Sequence, residues 1–407
     1  MIIYSLGTLF ILIAFFYEIK LFFGRRKNEL KKETDIKENP DIAVFIPARN
    51  ESKVIEELLC SIETQTHKIP SKNIYIIVES KEDKTVEIAK KHHMNYFVRQ
   101  HLEGKTKGYA LQEMVEDLNK KKKFYDLYFI FDADNILDPH FIEYMLEDYQ
   151  NGYAVSTGYR ALKNKDHYFP VSAGLTFFMI NELRNRNSLK HQGNLILSGT
   201  GYYIHGKYIK EWGTFPFHSL TEDYESSLYY TLHGISTHYQ EKAKFYDEQP
   251  TTYKQSVNQR SRWIKGYLTN WLHYRPLMKE KLKKHPNNPG SLTEMTTGII
   301  PALFLVVGLL LYLINALWNI GFHLSLNTLF YLSTLLLVIY LVLVLLTGIL
   351  LWMVVKETEL SYKVILGVLF YHPIFLASYL HCFVVALTKK DLGWARIEHK
   401  ASMKEMS

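Results

Sequence analysis

The stretch Ile42-Ala43-Val44-Phe45-Ile46-Pro47, followed by the polar turn Ala48-Arg49-Asn50-Glu51-Ser52, decides the fold of this chain. An unbroken apolar run, rather than one alternating with polar residues, marks a strand buried on both faces, and such strands belong to parallel sheets. The polar turn gives way to a helical pattern through Ile62. The same unit recurs with Ile74 to Val78 as strand and Thr85 to His92 as helix, then with Tyr96 to Val98 followed by Gly108 to Leu118. Leu127 to Phe131 is a further buried strand that runs directly into Asp132-Ala133-Asp134. This alternation predicts an α/β domain with a mostly parallel sheet and helices on both faces, whose ligands bind at the carboxyl ends of the strands. All the polar turns quoted lie at those ends.

Beyond this core the pattern loosens. Tyr153 to Thr157 reads as a strand, and Ser198-Gly199-Thr200-Gly201 has two readings. It is a tight turn that needs glycine torsions, or a place where the backbone closely approaches a ligand. From Ile264 to Lys283, the spacing of Ile264, Tyr267, Leu268, Trp271 and Leu272 puts apolar residues on one helical face, with Lys265 and His273 off it. This predicts an amphipathic helix at a membrane surface, drawn over residues 264–290.

The chain ends point to a bilayer. Residues 298–320, 329–355 and 364–388 contain no Asp, Glu, Lys or Arg, and each exceeds the ~20 residues that cross a bilayer core. Ile2 to Phe23 is a fourth apolar stretch, interrupted only by Glu18 and Lys20 and followed by Arg25, Arg26 and Lys27. Positive charge after rather than before the apolar stretch favours a retained anchor over a cleaved signal peptide, and it assigns the middle of the chain to the cytoplasmic side. The expected organisation is an anchor over 1–24, a linker over 25–40, the α/β domain over 41–263, the amphipathic segment, a membrane region over 291–388 and a tail over 389–407. The net charge of +7 collects near the membrane, in Arg25 to Lys32 and Lys279 to Lys284. That pattern fits a lipid bilayer as partner and gives no case for nucleic acid. The two cysteines, Cys60 in a predicted helix and Cys382 in an apolar segment, are not expected to pair, in keeping with a reducing compartment.

Two carboxylates one residue apart on a turn, as in Asp132 and Asp134, can share a hard divalent cation that also takes phosphate oxygens. They can equally cap the turn by bonding local amides. Thr221-Glu222-Asp223 places two more acids together, and it also has the composition of a helix start. Gln259-Arg260-Ser261-Arg262-Trp263 sets Gln259 and Arg262 three apart on one side of a helical turn, beside an aromatic that can serve as a sugar platform or as an interface anchor.

In that order, the Asp-x-Asp, Thr-Glu-Asp and Gln-x-x-Arg-Trp motifs resemble the processive family 2 glycosyltransferases of the inner membrane, relatives of cellulose, chitin, hyaluronan and poly-N-acetylglucosamine synthases. The resemblance runs from about Ile42 to Gly266. It implies a GT-A type, Rossmann-like α/β domain joined to transmembrane helices, a UDP-sugar donor, and Mg²⁺ or Mn²⁺ as cofactor. It further implies a β-linked polysaccharide product, with export or accessory subunits as partners. By resemblance, Asp134 contacts the metal, Asp132 lies near both metal and ribose, and Asp223 is the general base. Glu222, Gln259, Arg262 and Trp263 fall on the acceptor side, while Glu51, Glu79 and Lys107 fall on the nucleotide-sugar side. Glu79 departs from the family's usual Asp-Gly at the end of the second strand, and Lys105 rivals Lys107. A non-processive enzyme that adds one sugar to a lipid-linked acceptor is the alternative, although it usually lacks the Gln-x-x-Arg-Trp motif. A silent membrane partner of an export complex would have lost its acidic motifs. The tail, with Asp391-Leu392-Gly393-Trp394-Ala395-Arg396, is similar to the cytoplasmic tails of several synthases, whereas four spans would put it outside. Pro373, His372 and His381 make the last apolar segment a candidate for a broken or re-entrant helix.

Overall fold

Alternate side chains of Ile42–Pro47 enter different cores. Ile42, Val44 and Ile46 pack on one side of the sheet, and Ala43 and Phe45 on the other, because successive Cβ atoms of a strand point to opposite faces. The computed structural model describes residues 5–13, 32–186, 195–284, 361–370 and 377–389, with scattered positions elsewhere.

The elements in chain order are β1 (Ile42–Pro47), α1 (Ile55–Glu63), β2 (Ile74–Val78), α2 (Thr85–Lys91), β3 (Asn95–Val98), α3 (Lys107–Lys120), β4 (Leu127–Ile130), β5 (Ile136–Leu137) and α4 (Phe141–Gln150). They continue with β6 (Val155–Leu162), α5 (Tyr168–Met179), β7 (Tyr202–His205), α6 (Gly206–Trp212), α7 (Glu222–His233), β8 (Thr237–Asp247), α8 (Tyr253–Lys284), α9 (Tyr362–Phe370) and α10 (Ala377–Thr388). The sheet has eight strands in the order β3-β2-β1-β4-β7-β6-β8-β5. Strands β3, β2, β1 and β4 are parallel, as are β6 and β8; β7 runs antiparallel between β4 and β6, and β5 runs antiparallel to β8. The mostly parallel sheet expected from sequence is therefore present, with an antiparallel strand at its centre.

One core packs α1, α2 and α4 against one face of the sheet, and the other packs α3, α6 and α7 against the opposite face. The carboxyl ends of β1, β2 and β4 thus open onto the starts of α1, α2 and the acidic turn, where the site forms.

Helix α8 runs unbroken through the Gln-x-x-Arg-Trp motif and the segment read as interfacial, with Pro276 inside it. Only part of the predicted apolar stripe is turned outward. Tyr267 and Trp271 pack with Tyr224, Leu228 and Leu232 of α7, while Leu272 is exposed. The stripe thus covers α7 as well as facing away, because a helix that follows the domain directly can bury its apolar residues there. Among the described residues no helix is long and apolar enough to cross a membrane. Most of 298–320, 329–355 and 2–23, and all of residues 285–290, lie outside the described residues. The last apolar segment appears as α9 and α10, on either side of residues 371–376, which also lie outside them. Val171 and Phe169 of α5 pack with Val364 and Val368 of α9. Cys60 and Cys382 are both free thiols.

Candidate active site

The acidic turn after β4 is braced from beneath. The backbone N–H of Asp132 donates to the Thr200 hydroxyl at 2.8 Å and to Oδ1 of Asn135 at 3.3 Å. Asn135 is fully buried. Its Nδ2 donates to Asp134 Oδ1 at 3.2 Å and to Asp247 Oδ1 at 3.0 Å, and its Oδ1 accepts from the Thr200 hydroxyl. This fixes the turn while leaving both carboxylates partly open. Lys107, at the start of α3, reaches across and donates to Asp132 Oδ1 at 2.5 Å and to the Gly199 carbonyl at 2.7 Å. Burial alone would depress its proton affinity, but Asp132, Glu222 and Asp223 nearby outweigh that and hold it above the ordinary lysine range. The rival Lys105 is exposed on the loop before α3.

Glu222 and Asp223 occupy the first turn of α7. Burial, with the charge of Asp223 beside it, pushes the Glu222 carboxyl up to about 8. Burial also raises Asp223, against the opposing pull of Lys107 and Arg160. Asp223 accepts from the Tyr224 N–H at 2.8 Å, and the hydroxyls of Ser226 and Ser227 close onto its carbonyl at 2.9 and 2.6 Å. The loop flagged by its glycines lies against this carboxylate. Gly199 adopts φ +87°, and a Cβ built there would sit 3.3 Å from Asp223 Oδ2. Gly201 adopts φ +65°, and its Cβ would strike the Phe245 ring at 2.2 Å. The torsions need glycine, as the tight-turn reading expects, and the loop lies beside Asp223.

Thr221 precedes Glu222, but its side chain makes no capping bond. It accepts instead from Asn270 Nδ2 of α8 at 3.2 Å, and the same Nδ2 donates to the Thr221 carbonyl at 3.3 Å and to the Ser219 hydroxyl at 2.9 Å. Gly266 of α8 meets Thr221 so closely that a Cβ there would lie 2.4 Å from its Oγ1. Arg262, Gly266 and Asn270 follow one another at four-residue steps and so form one stripe of α8. Burial lowers the pKa of Arg262, and the charges of Glu222 and Asp132 oppose this, so its guanidinium is within electrostatic reach of both acids. Trp263 meets Phe177 edge to face, with ring centroids 5.4 Å apart and planes at 81°. Gln259 lies one helical turn earlier on α8, partly exposed.

At the nucleotide end, Glu79 follows β2 and pairs with Arg49 at 2.8 Å and with Arg99 at 3.7 Å. Glu51 is anchored by its backbone, whose N–H donates to the Thr85 hydroxyl at 3.2 Å. Asp83 fixes the same loop by accepting from the N–H groups of Asn50 and Thr85 at 2.7 and 2.9 Å. Glu51 and Glu79 thus sit on neighbouring loops at one end of the sheet. Asn135, Arg160, Thr200 and Asp247 are site residues that sequence reasoning missed, since none belongs to a motif. Only the glycines around Thr200 gave a signal.

Among the described residues, Cys60, Glu63 and His92 bring ligand atoms within 4.8 Å of one another, at the ends of α1 and α2 away from the acidic turn. At the turn itself, two carboxylates alone leave most of a metal's shell to other groups, the arrangement of Mg²⁺ sites completed by substrate phosphate.

A family model described as glycosyltransferase like family 2 matches residues 40–266. The poly-beta-1,6-N-acetyl-D-glucosamine synthase of Staphylococcus epidermidis is 26% identical over 231 residues, 55% of this chain and 54% of that protein. The probable glycosyltransferase YdaM of Bacillus subtilis is 23% identical over 250 residues, 59% of this chain and 58% of that one. The chain therefore spans about half the length of the curated relatives it matches. The mannosyltransferase PcManGT of Pyrobaculum calidifontis, solved with GDP-Man and Mn²⁺, superimposes with a TM-score of 0.63 at 12% identity. That likeness covers 96% of this chain and 100% of the other, and it shows a shared GT-A-like α/β fold. Since the matched family model spans more than half of the chain, from just before β1 to Gly266 within the motif-bearing helix, the protein belongs to the glycosyltransferase like family 2.

Proposed function

We propose that this protein moves a sugar from a UDP-sugar, with inversion, onto a growing β-linked polysaccharide at a cell membrane. The observation that carries this reading is the convergence on one site of the acidic turn, the buried Asp223 and the α8 motif, with Lys107 bonded to Asp132, Gly199 set beside Asp223 and Gly266 of α8 seated against Thr221. The synthase named among the relatives supports a polysaccharide product, and the apolar stretches at both ends of the sequence support a membrane setting.

In the proposed reaction the acceptor hydroxyl oxygen attacks the anomeric carbon from the face opposite the diphosphate. The bond from that carbon to the phosphate oxygen breaks, and its electron pair leaves with UDP. Asp223 accepts the hydroxyl proton; its raised proton affinity suits a general base. Glu222, buried and with its pKa near 8, sits beside it and keeps the pocket from carrying two full negative charges. Asp132 and Asp134 offer hard oxygen donors at a partly open turn, which fit Mg²⁺ or Mn²⁺. Such an ion, when bound, neutralises charge on the departing diphosphate. Lys107 and Arg262 bring positive charge to the same region, and Trp263 offers an aromatic face to the apolar side of a sugar ring. Glu51 and Glu79 lie where the nucleotide would rest.

The test is a donor panel. Full-length protein in lipid is given each UDP-sugar with Mn²⁺, and products are analysed by mass. Polymer from one donor, abolished by chelator and by Asp134→Ala, is the expected result. Full activity in excess chelator sinks the metal assignment. A product carrying a single added sugar on lipid moves the assignment to the non-processive alternative.

A further inference from the structure

We propose that Arg160 is a positioning residue that ties the aromatic acceptor platform to the base, because its buried guanidinium joins Ser198, Asp247 and Phe177 at once. The inference rests on reading Asp223 as the base and Trp263 as the platform. Arg160 lies on β6, and its side chain is only 9% exposed. Its NH1 donates to the Ser198 carbonyl at 2.6 Å, and its NH2 donates to Asp247 Oδ2 at 2.6 Å. Its guanidinium carbon lies 3.5 Å from the centroid of the Phe177 ring. Phe177 is the ring that Trp263 meets edge to face.

Each contact leads to a different part of the machinery. Ser198 precedes Gly199, where a Cβ would sit 3.3 Å from Asp223 Oδ2 and whose carbonyl takes a bond from Lys107. Asp247 also accepts from Asn135, the side chain that braces the acidic turn. Phe177 leads to the platform. A guanidinium suits this place because two donors of one rigid fork can point apart while its flat face stacks on a ring. Among the described residues, the buried Nε of Arg160 has no hydrogen-bond partner. A buried N–H without a partner is costly, which marks the position as fixed by its other contacts. Lysine would bring the charge but neither the fork nor the stacking face.

Movement of Phe177 by an acceptor ring on Trp263 is thus transmitted through one planar group to the loop that walls Asp223. Base alignment follows acceptor occupancy.

The experiment uses full-length protein in lipid vesicles and the donor that the wild-type protein consumes. Arg160→Gln, Arg160→Lys and Phe177→Leu are compared for UDP affinity with Mn²⁺, donor KM, kcat and product length. All three variants should keep UDP affinity and donor KM within about threefold, while kcat falls roughly 10 to 100-fold, as for a misplacement approaching 1 Å. Products should shorten. Arg160→Lys should not restore kcat, since charge alone is not the function. In combination with Trp263→Ala, the losses should overlap rather than multiply, because the residues act through one path. Phe177→Leu leaves the buried charge untouched, so it keeps the proposal testable should the Arg160 variants fail to fold. Wild-type kcat in Arg160→Gln or in Phe177→Leu, full rescue by lysine, or multiplicative losses would each overturn it. Asp223→Asn serves as the separate check: turnover in that variant removes the base assignment, whereas normal turnover in the Arg160 variants with Asp223→Asn dead removes only this proposal.

Discussion

Replacing Gly266 by alanine should slow the enzyme far more than it destabilises it. A Cβ at Gly266 would lie 2.4 Å from Thr221 Oγ1, 2.7 Å from its Cγ2 and 3.0 Å from its Cβ, where ordinary contact begins at 3.4 Å. Rotating the threonine cannot relieve this, because every rotamer leaves at least one of its two γ atoms in one of the two positions facing the glycine. The shortfall of about 1 Å must be met by parting α8 from the start of α7, which carries Glu222 and Asp223. Overpacking of this size costs about 1–3 kcal/mol, and alanine in place of glycine inside a helix returns roughly 0.5–1 kcal/mol. The net loss of stability is therefore modest, on the order of 0–2.5 kcal/mol. A base displaced by ~1 Å, in contrast, can cost ~10²-fold in rate. The assay is kcat, UDP affinity and thermal midpoint on the purified variant in lipid. Thr221→Ala added to Gly266→Ala removes two of the three close contacts and should recover part of the lost rate relative to Thr221→Ala alone. Wild-type kcat in Gly266→Ala would refute the view that this notch sets the position of the base.

Asp223→Asn should bind UDP normally and lose turnover by roughly 10² to 10⁴-fold, the usual scale for removal of a general base; near-normal turnover with unchanged pH dependence would assign the base elsewhere. Trp263→Ala should shorten the product while leaving UDP affinity intact, and a parallel fall in expression and nucleotide binding would mark the residue as structural instead. Glu222 provides a pH test. Burial raises its carboxyl from the ordinary 4.5 up to about 8, so the native state holds a proton that the unfolded chain releases. The stability this confers is complete below the unfolded value and is lost as pH rises through about 8. The thermal midpoint should accordingly fall between about pH 5 and pH 8, and Glu222→Gln should flatten that slope; an unchanged slope in the variant would place the titration in another group.

Strands β1, β2 and β4 were legible because burial on both faces writes an unbroken apolar run, and the acidic turn was legible because it ends such a run. Strand β8 was not, since Thr237–Asp247 mixes Gln240, Glu241, Lys242 and Lys244 among its apolar residues and pairs with β6 through a register shift at Gly158 and Tyr159. The motif residues could be read as a set, but the side chains that aim them could not. Asn135 and Asp247 are far apart in the chain, and their bond exists only once β4 and β8 lie in one sheet. The resemblance puts Lys107 on the nucleotide-sugar side, and the fold adds a partner no spacing announces, the carboxylate of Asp132. The interfacial reading of α8 erred in part because an apolar stripe looks the same whether it covers lipid or a neighbouring helix. Tyr267 and Trp271 cover α7.

The stripe formed by Arg262, Gly266 and Asn270 makes chain length itself a constrained quantity. Each residue of an α-helix turns the next by about 100°, so one amino acid inserted between Trp263 and Gly266 would swing the glycine notch and Asn270 away from Thr221 while leaving Gln259, Arg262 and Trp263 where they are. The motif would remain intact to any reader of the sequence, yet the turn it serves would have lost its seat. Substitutions along the outer face of α8 should therefore be tolerated freely, while single-codon insertions or deletions between positions 262 and 270 should not.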